Sequence, residues 1–314
     1  MKKGQFRYYD LDKHRPKVLL IGNGLTYDTS VSWSELIKKV SRDKVKVSYY
    51  EETETNGSHK RFLVPNTILT LVTSAIDDCE RHQKYLSALN DESNKNGYPT
   101  NRKIEQLLNL PFDAVLTTNY TYEIESAIIS RYPRLKASSK RKYAATTGKQ
   151  PDNKFLLHTF NRLTPDSPDI WHIHGELRRP SSLILSHDEY ARYIHQIILH
   201  NSDRGNDYVN YRNELKMKSW VDYFLVGDMY ILGLGLDFSE FDLWWLLGRR
   251  LREKSGWGEF VFYEPKSVDN IIKQQALRDV GVKVENCNID IDIDRRFDDF
   301  YYAAIEDINT RMNQ

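Results

Sequence analysis

Cysteine is nearly absent: Cys79 and Cys287 are the only two in 314 residues, and they stand far apart. No CxxC pair exists, so a structural zinc held by four cysteines is excluded, and no zinc is expected. Nothing supports a disulfide between the two, and a reducing compartment is the better fit. Long apolar runs are missing as well, since no stretch approaches the ~20 residues of a membrane span. The start, Met1-Lys2-Lys3-Gly4-Gln5-Phe6-Arg7, carries two lysines but no apolar segment of the kind a secretory signal needs. A cytoplasmic protein without membrane contact is therefore expected. Net charge is only +1, so no global basic field draws the chain to nucleic acid, and direct nucleic-acid binding is not expected. No GxSxG elbow and no HExxH helix occurs, which removes the common hydrolase and zinc-protease signatures. Internal repeats and low-complexity segments are lacking too.

What is present is alternation. Short apolar runs at Lys17–Ile21, Phe112–Leu116, Ile170–Ile173, Leu183–Leu185, Met229–Leu232, Glu259–Tyr263 and Val282–Val284 read as strands. Helical spacing or capping predicts helices over Trp33–Val40, from Asn66 through Cys79, and over Asn101–Leu110, Glu123–Arg131, Asp188–Leu199, Arg212–Phe224, Asp242–Arg252 and Val268–Asp279. Residues 44–62 read as a loop or exposed hairpin, the basic stretch 131–152 as a solvated loop, and the charged tail 290–296 as an edge at most. Strands alternating with helices predict an α/β fold: a Rossmann-like parallel sheet with helices on both faces and an inserted, mainly helical module. One domain over 1–314 is expected, with helical insertions at 44–110 and 186–227.

Four of the strands run into polar or glycine-marked turns at their carboxyl ends: Gly22-Asn23-Gly24, Thr117-Thr118-Asn119, His174-Gly175 and Gly233-Leu234-Gly235. In an open parallel sheet, ligands bind beyond the carboxyl ends of the strands, so these loops would meet around one ligand. Gly22 and Gly24 are the first two glycines of a dinucleotide turn, which let a pyrophosphate approach backbone N–H groups; Tyr27 stands where a third would be. Asn119 either satisfies its own turn or holds a ribose hydroxyl or a water. Strand alternation puts His172 and His174 on one face, with His174 at the strand end, where a histidine can act as general base at neutral pH. Asp237 either accepts hydrogen bonds from ribose hydroxyls or, with Ser239, caps the following helix. The Trp244-Trp245 pair reads as core or subunit interface.

The order of these motifs resembles that of the sirtuin superfamily. More closely, Leu20-Ile21-Gly22-Asn23-Gly24-Leu25, Thr117-Thr118-Asn119-Tyr120-Thr121, Ile173-His174-Gly175 and Ile231-Leu232-Gly233-Leu234-Gly235-Leu236-Asp237 are similar to zinc-less sirtuin-like domains of bacterial anti-phage defence proteins. The related abortive-infection H family has similar turns. Sirtuin deacylases carry a four-cysteine zinc module and an aspartate where this chain has Thr121, and both departures count against protein deacylation. The resemblance implies an NAD+ glycohydrolase that releases nicotinamide and ADP-ribose, with Asn119 and His174 as the catalytic pair. It also implies that Gly22, Asn23, Gly24 and Thr26, with Thr118, Gly233, Gly235 and Asp237, bind NAD as substrate. Control by a homo-oligomer or by a partner defence protein is implied by the same resemblance. Binding of NAD+ or ADP-ribose by a sensor without hydrolysis, and NAD-dependent deacylation or ADP-ribosyl transfer, are the alternatives.

Overall fold

The computed structural model describes residues 6–26, 101–131, 153–177, 179–210, 215–253, 258–267, 270–289 and 297–313, together with isolated positions at 36, 40, 73, 74, 76, 80, 81, 83, 84 and 87. Six parallel strands form the central sheet: β2 (Lys17–Ile21), β3 (Ala114–Thr117), β4 (Asp169–His172), β6 (Asp228–Leu232), β7 (Phe260–Tyr263) and β8 (Lys283–Glu285). Their spatial order is β4-β3-β2-β6-β7-β8. Two short strands, β1 (Tyr8–Tyr9) and β5 (Leu215–Lys216), pair antiparallel apart from it. The chain builds outward from β2 to β4, then returns past β2 to build the other half. This is the order of doubly wound dinucleotide folds, and it leaves a crevice between β2 and β6, where the direction reverses.

The strands are apolar on both faces because both are covered. Val18, Leu20, Leu116, Trp171, Ile231 and Phe262 point into one core; Leu19, Ile21, Val115, Ile170, Leu232 and Val261 point into the other. Such near-continuous apolar runs are what a parallel sheet buried on both sides requires. The first core is closed by α3 (Asn153–His158), α4 (His187–Asn210), α5 (Trp220–Val226), α6 (Phe241–Glu253) and α7 (Ile271–Asp279). The second is closed by α1 (Arg102–Leu107), α2 (Glu123–Arg131) and α8 (Phe297–Met312). A Rossmann-like α/β sheet with helices on both faces is thus what the chain forms.

Several local expectations are corrected. Leu183–Leu185 is not a strand; it is a buried extended segment after a 3₁₀ turn, and the Ile184 N–H donates to the His174 carbonyl. Of the expected helix 212–224, the described part from Leu215 on is the short strand β5 followed by α5, which starts at a capping box between Ser219 and Asp222. Helix α8 is apolar on its sheet-facing side and was not anticipated. The helix expected at 33–40 (apart from Leu36 and Val40), most of 44–110, the basic stretch 132–152 and the tail 290–296 lie outside the described residues. No helix among the described residues is long and apolar enough to cross a membrane.

Candidate active site

One row of the sheet organises the site. Leu232, Ile21, Thr117 and His172 are register partners across β6, β2, β3 and β4. Gly22 and Gly233 each follow that row by one residue, and Asn119 and His174 each follow it by two. The four turns singled out from sequence therefore leave the same edge of the sheet, and the two glycine turns flank the crevice.

The glycine turns touch. The Gly24 N–H donates to the Gly233 carbonyl at 2.6 Å, and the Gly22 N–H to Leu232 at 3.2 Å. A Cβ on Gly22 would sit 2.5 Å from both the Gly233 oxygen and the Leu234 Cα. Gly233 has φ +70°, open to glycine but costly for other residues. These glycines are needed for backbone to pass backbone. A Cβ on Gly235, by contrast, meets nothing within 4 Å. Asn23 and Thr26 bond each other, with the Thr26 hydroxyl 2.9 Å from Asn23 Oδ1. Thr118 is half-buried and donates its N–H to Ile21 at 3.3 Å. The Asp237 carboxylate accepts from the Ser239 N–H at 2.8 Å, an Asx turn ahead of α6 rather than a cap on it, and Trp244 Nε1 donates to the Asp237 carbonyl. Trp244 also stacks on Phe238, with ring centroids 5.4 Å apart.

Asn119 is buried and its N–H donates to Thr117 Oγ1 at 3.0 Å, while its side-chain amide reaches toward the Gly22 carbonyl at 3.5 Å. The link between the β3 turn and the first glycine turn is thus direct.

The two histidines do not share a face. β4 ends at His172, and a turn follows in which Gly175 (φ +99°) donates to the His172 carbonyl. His172 faces α2, where its Nε2 meets Glu125 Oε1 at 2.9 Å. His174 faces α4 and α6 instead: its Nε2 meets Asp242 Oδ2 at 2.9 Å, and its ring lies edge-on to Tyr190 at 5.5 Å. No group of acidic, histidine or cysteine side chains among the described residues has the arrangement of a metal site.

Asp242 and Glu240 were not singled out from sequence. Both stand at the start of α6, where acids have a local reason to be, complementing the helix dipole. Asp242 is fully buried; its Oδ2 holds His174, and no hydrogen bond reaches its Oδ1. Because a carboxylate only accepts, His174 Nε2 carries the proton of that bond. Among the described residues nothing bonds Nδ1, which is left with its lone pair in the neutral ring. Burial alone would depress the His174 pKa, but the Asp242 charge, its hydrogen bond and the Glu240 charge outweigh it, and the pKa is raised. Burial pushes the Glu240 carboxyl up to about 7, with Asp242 and Asp237 adding to the effect against the opposing pull of His174. The arrangement is a histidine oriented by a buried carboxylate at a strand's carboxyl end, a geometry suited to a general base.

The family model of the SIR2-like domain matches residues 113–284, more than half of the chain. The matched stretch runs from the start of β3 into β8 and includes Asn119, His174, Gly233 and Asp242; the first glycine turn precedes it. A search of curated proteins gives no match.

Proposed function

The chain belongs to the SIR2-like domain family, whose chemistry is NAD-related, and on that premise we propose that it is an NAD+ glycohydrolase. The observation that carries the reading is the His174–Asp242 pair, on the same edge of the sheet as Asn119 and the glycine turns. Cleavage of the bond between nicotinamide and ribose builds positive charge at C1′, and nicotinamide leaves as a neutral molecule. Water adds to C1′ and its proton passes to a base, giving ADP-ribose. In this proposal Nδ1 of neutral His174 takes that proton, from the water or through a ribose hydroxyl, and Asp242 stabilises the imidazolium that results. Asn119 turns its amide from Gly22 to orient the water or ribose. The carboxyl-end turns hold the dinucleotide, with Gly22, Asn23, Gly24, Thr26 and Thr118 at the first half of the crevice. Gly233, Gly235 and Asp237 form the second. Gly235 has the open backbone that a ligand can approach. No zinc takes part. A role in bacterial anti-phage defence by NAD+ depletion, under the control of an oligomer or partner protein in the cytoplasm, belongs to the same proposal and rests on the resemblance of the turns.

The test is nicotinamide release from NAD+ by the purified full-length chain. Release that is lost in Asn119→Ala and in Asp242→Asn, with both variants folded, is the expected result. Saturable NAD+ binding without release would assign a sensing role instead, and release that depends on an acylated peptide would assign deacylation.

A further inference from the structure

His172 is set two residues from the base and has the opposite bonding. Its Nδ1 lies 2.9 Å from the backbone carbonyl of Asn119, and its Nε2 lies 2.9 Å from Glu125 Oε1. A peptide carbonyl can only accept a hydrogen bond. A carboxylate likewise only accepts, and Glu125, fully buried, is held below the usual carboxylate range: burial opposes this, but His172 and the Asn161 amide prevail. Both ring nitrogens must therefore carry protons for both bonds to exist. We propose that His172 is a positioning residue, a buried imidazolium that joins Glu125 of α2 to the Asn119 peptide and fixes the turn presenting the Asn119 amide.

The surroundings fit a cation. The acids facing His172 are Glu125 and Glu123 from α2 and Glu176 from the loop after β4. Glu176 accepts from the Tyr122 hydroxyl at 3.1 Å and pairs with Arg179 at 3.2 Å, and the Tyr122 ring lies 5.4 Å from the imidazole. Burial opposes the charged ring, yet Glu125 above all, with Glu176 and the Asn119 carbonyl, raises its pKa to about 9. The cavity beside it, lined by Thr159, Asn161, His172 and Glu176, measures about 20 Å³. That volume suits one water and no dinucleotide. His172 therefore acts through Asn119, not on substrate.

The positioning role rests on the NAD+ glycohydrolase reading; the clamp itself does not, and one experiment separates them. Glu125→Gln keeps an acceptor for Nε2–H but removes the charge that holds the ring protonated. Two readouts are followed against pH in wild-type chain and in Glu125→Gln: kcat and KM for nicotinamide release, and the carbonyl shift of Asn119. Labelling asparagine carbonyls and tyrosine amides reports only the pairs Asn119-Tyr120 and Asn210-Tyr211. In the wild-type chain the Asn119 signal should titrate near pH 9, and kcat should fall along the same limb. In Glu125→Gln both should move together toward or below the ordinary histidine value near ~6.5. That shift is roughly a tenfold or greater loss of kcat at pH 8, shrinking toward lower pH until the His174 limb itself cuts turnover, with KM little changed. A merely structural role would lower activity alike at every pH. An Asn119 signal that does not titrate between pH 7 and 10 overturns the clamp whatever the activity, and a titrating signal with an unmoved kcat limb overturns the positioning role. If wild-type chain releases no nicotinamide, the NAD+ glycohydrolase reading and the positioning role built on it fail together, and the carbonyl titration still decides the clamp.

Discussion

Removing His174 and removing Asp242 should not add. His174 is 3% exposed and Asp242 is not exposed at all, so neither group can turn to water when its partner is gone. Among the described residues their 2.9 Å contact is the only hydrogen bond to the Asp242 carboxylate, whose other oxygen has none. His174→Ala therefore strands a buried carboxylate, a loss of about 3–5 kcal/mol. Asp242→Asn leaves a neutral amide that can still accept from Nε2–H, and the cost falls to about 1 kcal/mol. In the double variant no charge is stranded; beyond the imidazole void, which His174→Ala leaves as well, only an unpaired neutral amide remains, about 1–3 kcal/mol. The double variant should thus be more stable than His174→Ala alone, with a coupling energy of about 1 kcal/mol or more. Urea unfolding followed by tryptophan fluorescence gives all four stabilities, six tryptophans providing the signal. Additivity within about 0.5 kcal/mol would refute the pair as a charged, mutually dependent unit. The same series sorts chemistry from folding. Asp242→Asn, well folded, should lose about 10²–10⁴ in kcat. The loss comes from a less basic imidazole, because a neutral amide that accepts from Nε2–H does not stabilise the imidazolium as a carboxylate does.

Three shorter predictions concern neighbouring features. Gly22→Ala should destabilise the chain by about 1–3 kcal/mol, since its Cβ meets immovable backbone, whereas Gly235→Ala should stay within about 0.5 kcal/mol; thermal melts of both variants compare them. Stability should fall as pH rises from 6.5 through about 9, because over that window the folded chain keeps the His172 proton that the unfolded chain has lost. The full effect is about 3 kcal/mol, and urea midpoints at pH 6 and 10, with Glu125→Gln as the flattened control, measure it. Glu240→Gln removes a charge that raises His174, so the acid limb of kcat/KM for nicotinamide release should move to lower pH; an unmoved limb would show that Glu240 does not act on the base.

The strand ends were legible because each carries its own local signal. A buried parallel strand must be apolar throughout, and the turn that leaves it must be polar or glycine, so Ile21 into Gly22 and Leu232 into Gly233 declare themselves without partners. Leu183–Leu185 carries the same apolar signal and is no strand, because a connecting segment buried in the core has the same composition as a strand buried in a sheet. Alternation misled at His174 because it holds only while the strand lasts, and β4 ends at His172. The acids that complete the site were hidden for a different reason. Glu125, Glu240 and Asp242 sit in or just before the first turn of a helix, where an acid needs no further explanation. Their roles depend on which strand the helix is laid against, and that is decided by contacts 47 and 68 positions apart in sequence.

What separates the two histidines is the number of acceptors that each one meets. His174 has a single acceptor-only partner, which fixes one proton and frees the other nitrogen; a ring so placed can gain and lose its second proton as a base must. His172 has two such partners, which fix both protons and leave nothing to exchange short of breaking a bond. Burial is nearly the same for both, so desolvation cannot tell them apart. In the proposed mechanism the same residue type, two positions apart, serves as a base on one side of the sheet and a brace on the other. Turnover by that mechanism has a bell-shaped profile with separable limbs. The acid limb belongs to His174 and answers to Asp242 and Glu240; the alkaline limb belongs to His172 and answers to Glu125. A substitution on α6 should therefore move only the first limb, and a substitution on α2 only the second.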